Sequence, residues 1–318
     1  MTLLDRYDAL LFDLDGTVYR GEHAVDGAAE AVAAAHEAKT TIRFVTNNAS
    51  RTPDEVAAHL TDIGIPAGPD EVSTSSQAAA QVLKGTTGKV LVVGAPALEH
   101  EIELVGLVTT RTAGDDVAAV VQGLSRETGW QDLAEATVAL NAGARWVACN
   151  IDPTLPTERG MLPGNGSFVA ALTAATGREP EVAGKPAEPL MNEAIRAAKA
   201  KHPLAIGDRL DTDIAGANAV GIESLLVLTG VTTPAELLES DIRPTYLAED
   251  VRAVTGDPDR LAIGDKPGWK IDNGVISGDG DPLDLLRALC GAPRTDVRAG
   301  DDNAAAALRH LGLPHELA

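Results

Sequence analysis

From residue 9 to residue 228 the chain repeats one pattern, a short apolar run followed by an Ala-rich amphipathic stretch. The apolar runs at 9–12, 41–45, 90–93, 118–121, 146–148, 204–206 and 222–228 are too short for helices and read as buried strands. Helical patterns fill 26–38, 53–62, 187–200 and 211–219, and Thr52 and Pro53 offer an N-cap and a first helical residue to the second of them. Alternating strands and helices give parallel sheets, because each crossover helix returns the chain to the edge it left and covers a sheet face. The expected fold is therefore α/β. Aromatic residues make up only 3% of the chain, so its core must be built from Ala, Val, Leu and Ile.

Open parallel sheets bind ligands beyond the carboxyl ends of their strands, and the polar clusters of this chain fall there. Asp13-Leu14-Asp15-Gly16-Thr17 follows the first run, Thr46-Asn47-Asn48 the second, and Gly207-Asp208 the run at 204–206. Lys185 lies in Ala183-Gly184-Lys185-Pro186, just before a helical stretch. Each cluster alone has a plain reading. Asp and Gly are common turn formers, Thr46 could cap a helix, and Lys185 could be a solvated charge. Four polar groups from separate stretches of chain, each at an element end, would converge on one edge of the sheet.

This ordered set resembles the motifs of the haloacid dehalogenase superfamily of phosphatases. Asp13-Leu14-Asp15-Gly16-Thr17 is similar to the first motif, Val45-Thr46-Asn47-Asn48 to the second and Gly184-Lys185-Pro186 to the third. Gly207-Asp208-Arg209-Leu210-Asp211-Thr212-Asp213 is similar to the fourth. The resemblance implies a Rossmann-like core in which Asp13 is a covalent nucleophile, a role carboxylates can take by forming aspartyl-phosphates. It implies Asp15 as general acid, with a pKa that the neighbouring Asp13 charge would raise. Thr46, Asn47, Asn48 and Lys185 would bind the phosphoryl group. A phosphate dianion approaching so many carboxylates needs a cation, and Mg2+ with its preference for oxygen ligands is the implied cofactor. Its expected ligands are Asp13, the main-chain carbonyl of Asp15 and Asp208, with Asp213 orienting from behind.

The long insertion before Lys185 implies a substrate-covering α/β cap of the C2 type. The expected layout is a core at 1–76 and 181–256, the cap at 77–180, and a small C-terminal extension at 257–318 with helices near 282–290 and 302–311. Within the superfamily, Val121-Gln122-Gly123-Leu124-Ser125-Arg126, Ala148-Cys149-Asn150-Ile151-Asp152 and Leu162-Pro163-Gly164-Asn165-Gly166-Ser167 resemble the branch of nitrophenylphosphatase-like, phosphoglycolate, pyridoxal-phosphate and glycerol-phosphate phosphatases. That branch often has Asp at Ser125 and Thr at Cys149, so leaving-group preference is where this chain departs from it. The implied substrate is a small phosphomonoester, with glycerol 3-phosphate ranked first and 2-phosphoglycolate second; pyridoxal phosphate is a further alternative. Arg51 and Ser125 are candidate substrate contacts. A catalytically silent binding protein on the same fold is the alternative class, and intact Asp13, Asp15, Lys185 and Asp208 argue against it. A phosphotransferase is a third alternative, in which another acceptor replaces water.

The remaining features narrow the setting. A formal net charge of −21 with no basic run disfavours nucleic acid and anionic membranes. Cys149 and Cys290 form no paired spacing and read as buried thiols. The opening residues do not read as a signal peptide, no apolar run reaches membrane-spanning length, and a cytoplasmic protein is expected. Gly94 lacks the remaining glycines of a dinucleotide loop. Gly164-Asn165-Gly166 before the stretch 167–176 could hold an anion at a helix N-terminus, but a structural role is preferred. His36, His59 and His202 read as surface or helix residues. The extension shows no chemistry, and either packing on the core or a homodimer contact would suit it.

Overall fold

The computed structural model describes residues 1–157, 159–293 and 296–316. They divide into two compact units, one of residues 1–20, 24–42 and 201–318 and the other of residues 21–23 and 43–200.

In the first unit four strands run parallel in the order Tyr246–Ala248, Glu223–Val227, Pro203–Gly207, Ala9–Phe12. The strand Ala9–Phe12 is buried along its whole length, as a parallel strand covered on both faces must be. The expected helix at 211–219 is two pieces. Residues Leu210–Ile214 make a wide π-helical turn before Ala215–Ala219 continues as α-helix. In that turn the Arg209 carbonyl accepts from both Asp213 (3.0 Å) and Ile214 (3.2 Å). Wide turns of this kind recur at functional sites, and this one carries Asp213.

The C-terminal extension packs on this sheet. A three-stranded sheet of Trp269–Asp272, Val275–Gly278 and Arg298–Ala299 is backed by helices Pro282–Gly291 and Asp302–His310. Its Trp269, Ile276, Leu285 and Leu308 share one apolar cluster with Leu210, Ile214, Leu226 and Leu247 of the sheet unit. The buried Arg287 donates to the Leu247 carbonyl at 2.9 Å and pairs with Asp284 at 2.7 Å. Of the two roles left open for the extension, the structure displays the packing.

The second unit holds a five-stranded parallel sheet in the order Glu181–Val182, Arg145–Ala148, Val117–Gln122, Lys89–Val93, Val108–Thr110. Its core is Leu91, Val93, Val120, Leu140, Trp146 and Leu172. Residues Phe44–Thr46 pair in parallel with Val72–Thr74 in the same unit. The helix Pro53–Asp62 starts as expected with Thr52 as N-cap and Pro53 in its first turn, and Glu55 completes a capping box with Thr52. Strands Val72–Thr74, Val108–Thr110 and Tyr246–Ala248 were not expected, being only three residues long. Nor was the hairpin of Thr154–Thr157 and Gly160–Pro163, which lies in a stretch rich in Pro and Gly. The helix Asn165–Thr176 has its first turn occupied by main chain, Gly166 N–H donating to the Asp152 carbonyl at 2.8 Å, so Gly164-Asn165-Gly166 is structural there. Both cysteines are buried free thiols. Among the described residues no helix is long and apolar enough to cross a membrane.

Candidate active site

In the first unit, the strand Ala9–Phe12 delivers Asp13 at its carboxyl end, where the Asp13 N–H donates to the Ile206 carbonyl at 2.8 Å. The neighbouring strand Pro203–Gly207 delivers Asp208, which is fully buried. The wide turn then places Asp213, whose carboxylate accepts from the Arg209 N–H at 3.1 Å. Oxygens of Asp13, Asp208 and Asp213 lie within 4.8 Å of one another. Two unit charges about 4 Å apart interact by about 4 kcal/mol at an effective dielectric near 20. Three such groups call for a cation or a proton. A cluster of carboxylate oxygens is the donor set that a hard divalent ion such as Mg2+ prefers, so the residues fit the implied metal.

The loop after the strand Glu223–Val227 contributes what the sequence did not signal. Val231 N–H donates to Asp208 Oδ2 at 2.7 Å, and the Thr232 N–H donates to the Asp208 carbonyl at 3.1 Å. Thr17 donates its hydroxyl to Asp208 Oδ1 at 3.3 Å. The Thr229 hydroxyl donates to the Gly16 carbonyl at 2.7 Å, tying this loop to the first motif. A Cβ on Gly230 would stand 1.8 Å from Asp208 Oδ2. Glycine is required there so that the main chain can close over the carboxylate. Residues that orient metal ligands typically change affinity about 10- to 100-fold when altered. Gly230→Ala is therefore expected to weaken Mg2+ binding about 10- to 100-fold in calorimetric titration. Unchanged affinity would mean that the carboxylate has room to move.

Asp15 lies on the exposed side of the same turn. The turn is set by Gly16, at φ +94°, whose N–H donates to the Tyr19 carbonyl at 2.8 Å. Although Asp15 is accessible at its surface, desolvation by the surrounding protein raises its carboxyl pKa. The direction is the one a general acid needs. Its cause is burial.

In the second unit, residues 43–46, the last four of the strand Thr41–Thr46, end at Thr46, whose Oγ1 accepts from the Asn48 N–H at 3.1 Å. The Asn48 side chain accepts from both the N–H and the hydroxyl of Ser50, at 2.7 and 2.8 Å. Asn48 is thus engaged in shaping its own loop. Lys185 is 3% exposed, and its Nζ donates to the Val45 carbonyl at 3.0 Å. The Asn47 carboxamide pairs with the main chain of Lys185. Asn47 and Lys185, 138 residues apart in sequence, are brought together here. Ser125 is half-buried, with its hydroxyl accepting from the Glu127 N–H at 3.2 Å, and Arg51 is exposed.

The chain is similar to several known proteins. The haloacid dehalogenase-like hydrolase family matches residues 10–108, and the HAD-hydrolase-like family matches residues 182–254. The extension, at residues 266–313, matches the GCN5-related N-acetyltransferase like domain. The D-glycerol 3-phosphate phosphatase of Mycobacterium tuberculosis is 47% identical over 341 residues, covering 98% of this chain and 96% of that protein. An acid sugar phosphatase of Staphylococcus haemolyticus is 35% identical, covering 81% of this chain and 99% of its own length. The crystal structure of a Mycobacterium tuberculosis glycerol phosphate phosphatase in complex with magnesium matches with a TM-score of 0.94 at 47% identity, covering 99% of each chain.

Proposed function

Because this chain belongs to the haloacid dehalogenase-like hydrolase family, we propose that it is a magnesium-dependent phosphatase whose substrate is glycerol 3-phosphate. The observation that carries the phosphatase reading is the clustering of Asp13, Asp208 and Asp213 beyond the carboxyl end of the sheet. The choice of substrate follows the mycobacterial relative, similar along nearly the whole chain.

Asp13 attacks phosphorus, forming an Oδ–P bond as the bond to the substrate oxygen breaks. Asp15, carrying a proton, gives it to that leaving oxygen, and glycerol departs. Asp15 then takes a proton from the water that attacks the aspartyl-phosphate, which releases inorganic phosphate and restores Asp13. The Thr46 hydroxyl and the main chain of Asn47 and Asn48 bind phosphoryl oxygens, and Lys185 offsets their charge. Asp13, the Asp15 carbonyl and Asp208 would hold Mg2+, with Asp213 orienting. The bound ion supplies the positive charge that lets a phosphate dianion approach these carboxylates. Phosphoryl transfer depends mainly on positioning and charge stabilisation, so this small set suffices in kind.

Residues 77–180 form the cap in this reading, with the core at 1–76 and 181–256. Ser125 and Arg51 remain the candidate substrate contacts. The two free buried thiols are in keeping with a reducing cytoplasm. A homodimer through the extension is the assembly to test by light scattering.

Phosphate release should be measured across glycerol 3-phosphate, 2-phosphoglycolate, pyridoxal 5′-phosphate, sugar phosphates and nucleoside monophosphates. The expected result is the highest kcat/KM on glycerol 3-phosphate. A clear preference for a nucleotide or sugar phosphate would reject that substrate and leave the phosphatase standing. Release from none of them would reject both.

A further inference from the structure

Asn47 stands next to Thr46 in the second motif, where its main chain is expected to contact phosphate and its side chain has no separate expected role. The surroundings of that side chain assign it one. Asn47 Oδ1 accepts from the Lys185 N–H at 2.8 Å, and Asn47 Nδ2 donates to the Lys185 carbonyl at 2.9 Å. One carboxamide thus meets both main-chain groups of a single residue, as a neighbouring strand would. The amide orientation follows from its partners, since the N–H needs an acceptor and the carbonyl a donor.

The same segment also holds the other end of the lysine. Lys185 Nζ donates to the carbonyl of Val45, two residues before Asn47, at 3.0 Å. The lysine is therefore gripped at its peptide by Asn47 and at its ammonium group by Val45. Asn47 is itself fixed, because its carbonyl accepts from Ser75 Oγ at 2.6 Å and from Asn150 Nδ2 at 2.7 Å. The approach needs a residue without a side chain before the lysine. A Cβ on Gly184 would stand 2.6 Å from Asn47 Oδ1 and 2.4 Å from the Cys149 carbonyl.

We propose that the Asn47 side chain is a positioning residue for Lys185, acting on the reaction by fixing the lysine peptide and, through it, the ammonium group. The inference rests on the phosphatase reading, in which Lys185 offsets phosphoryl charge. A displacement of about 1 Å in a catalytic group can cost about 100-fold in rate. Asn47 uses its side chain entirely within its own unit, also reaching Asp152 Oδ2 at 3.3 Å. Phosphate contact at this position is left to the main chain.

The test is a double-mutant cycle of Asn47→Ala and Lys185→Ala, with kcat, KM, Mg2+ affinity and melting temperature measured for each protein. Asn47→Ala alone is expected to lower kcat about 100-fold while Mg2+ affinity stays at the wild-type value. In the Lys185→Ala background the same change should cost less than about threefold, because groups that act as a unit are not additive. A second route uses Asn47→Asp, nearly isosteric and so tolerant of the fold. It keeps an acceptor for the Lys185 N–H but sets an oxygen against the Lys185 carbonyl, and should lose as much kcat as Asn47→Ala. Full additivity in the cycle, or wild-type kcat in Asn47→Asp, would overturn the proposal. If the wild-type protein releases no phosphate from any ester, the phosphatase reading fails instead.

Discussion

Asp13→Asn is expected to lower phosphate release at least about 10⁴-fold, the scale of loss when a covalent nucleophile is removed. The change is nearly isosteric and leaves the main-chain bond from Asp13 to Ile206 in place. It also removes one of three negative charges whose oxygens lie within 4.8 Å of one another. The fold should therefore survive with an unchanged or slightly raised melting temperature. A phosphate-release assay beside a thermal melt checks both halves. A folded variant with wild-type turnover would dismiss Asp13 as nucleophile.

Chelation should have an effect of similar size. EDTA is expected to bring turnover to background, and added Mg2+ to restore it. The carboxylate cluster also gives a readout independent of activity. A ligand that binds only the folded state stabilises it by about 2.7 kcal/mol at 100 times its Kd. The melting temperature should rise with Mg2+ in the wild type and not in Asp208→Asn, where the buried ligand has lost its charge. Activity that persists in chelator would remove the metal from the mechanism.

How far the sequence announced this arrangement depends on where each signal resides. Asp13 and Asp208 were legible because the chemistry is in their side chains and an apolar strand runs directly into each, and Asp213 because its motif begins at Gly207. The loop Thr229-Gly230-Val231 was not. It acts through a peptide N–H, a hydroxyl and the absence of a Cβ, none of which stands out in a turn. Asn47 was noticed, but its partner is the main chain of a residue 138 positions away, and a single sequence carries no trace of that pairing. The wide turn at Leu210–Ile214 passed as ordinary helix because one extra residue in a turn leaves the apolar spacing nearly intact. Asp15 shows a subtler limit: the direction of its pKa was foreseen, but the cause depends on surrounding protein that only folding assembles.

The shared apolar cluster of the extension has a consequence for anyone who would shorten or recombine this protein. Leu210 and Ile214 belong to the turn that carries Asp213, and Leu226 lies on the strand leading to the loop that holds Asp208. Trp269, Leu285 and Leu308 are the other side of that same packing. A cut at residue 256 would therefore leave a greasy wound behind the acidic centre rather than trim away a tail. The extension and the Asp208 cradle are one mechanical part, and chimeras made with relatives should carry them across together.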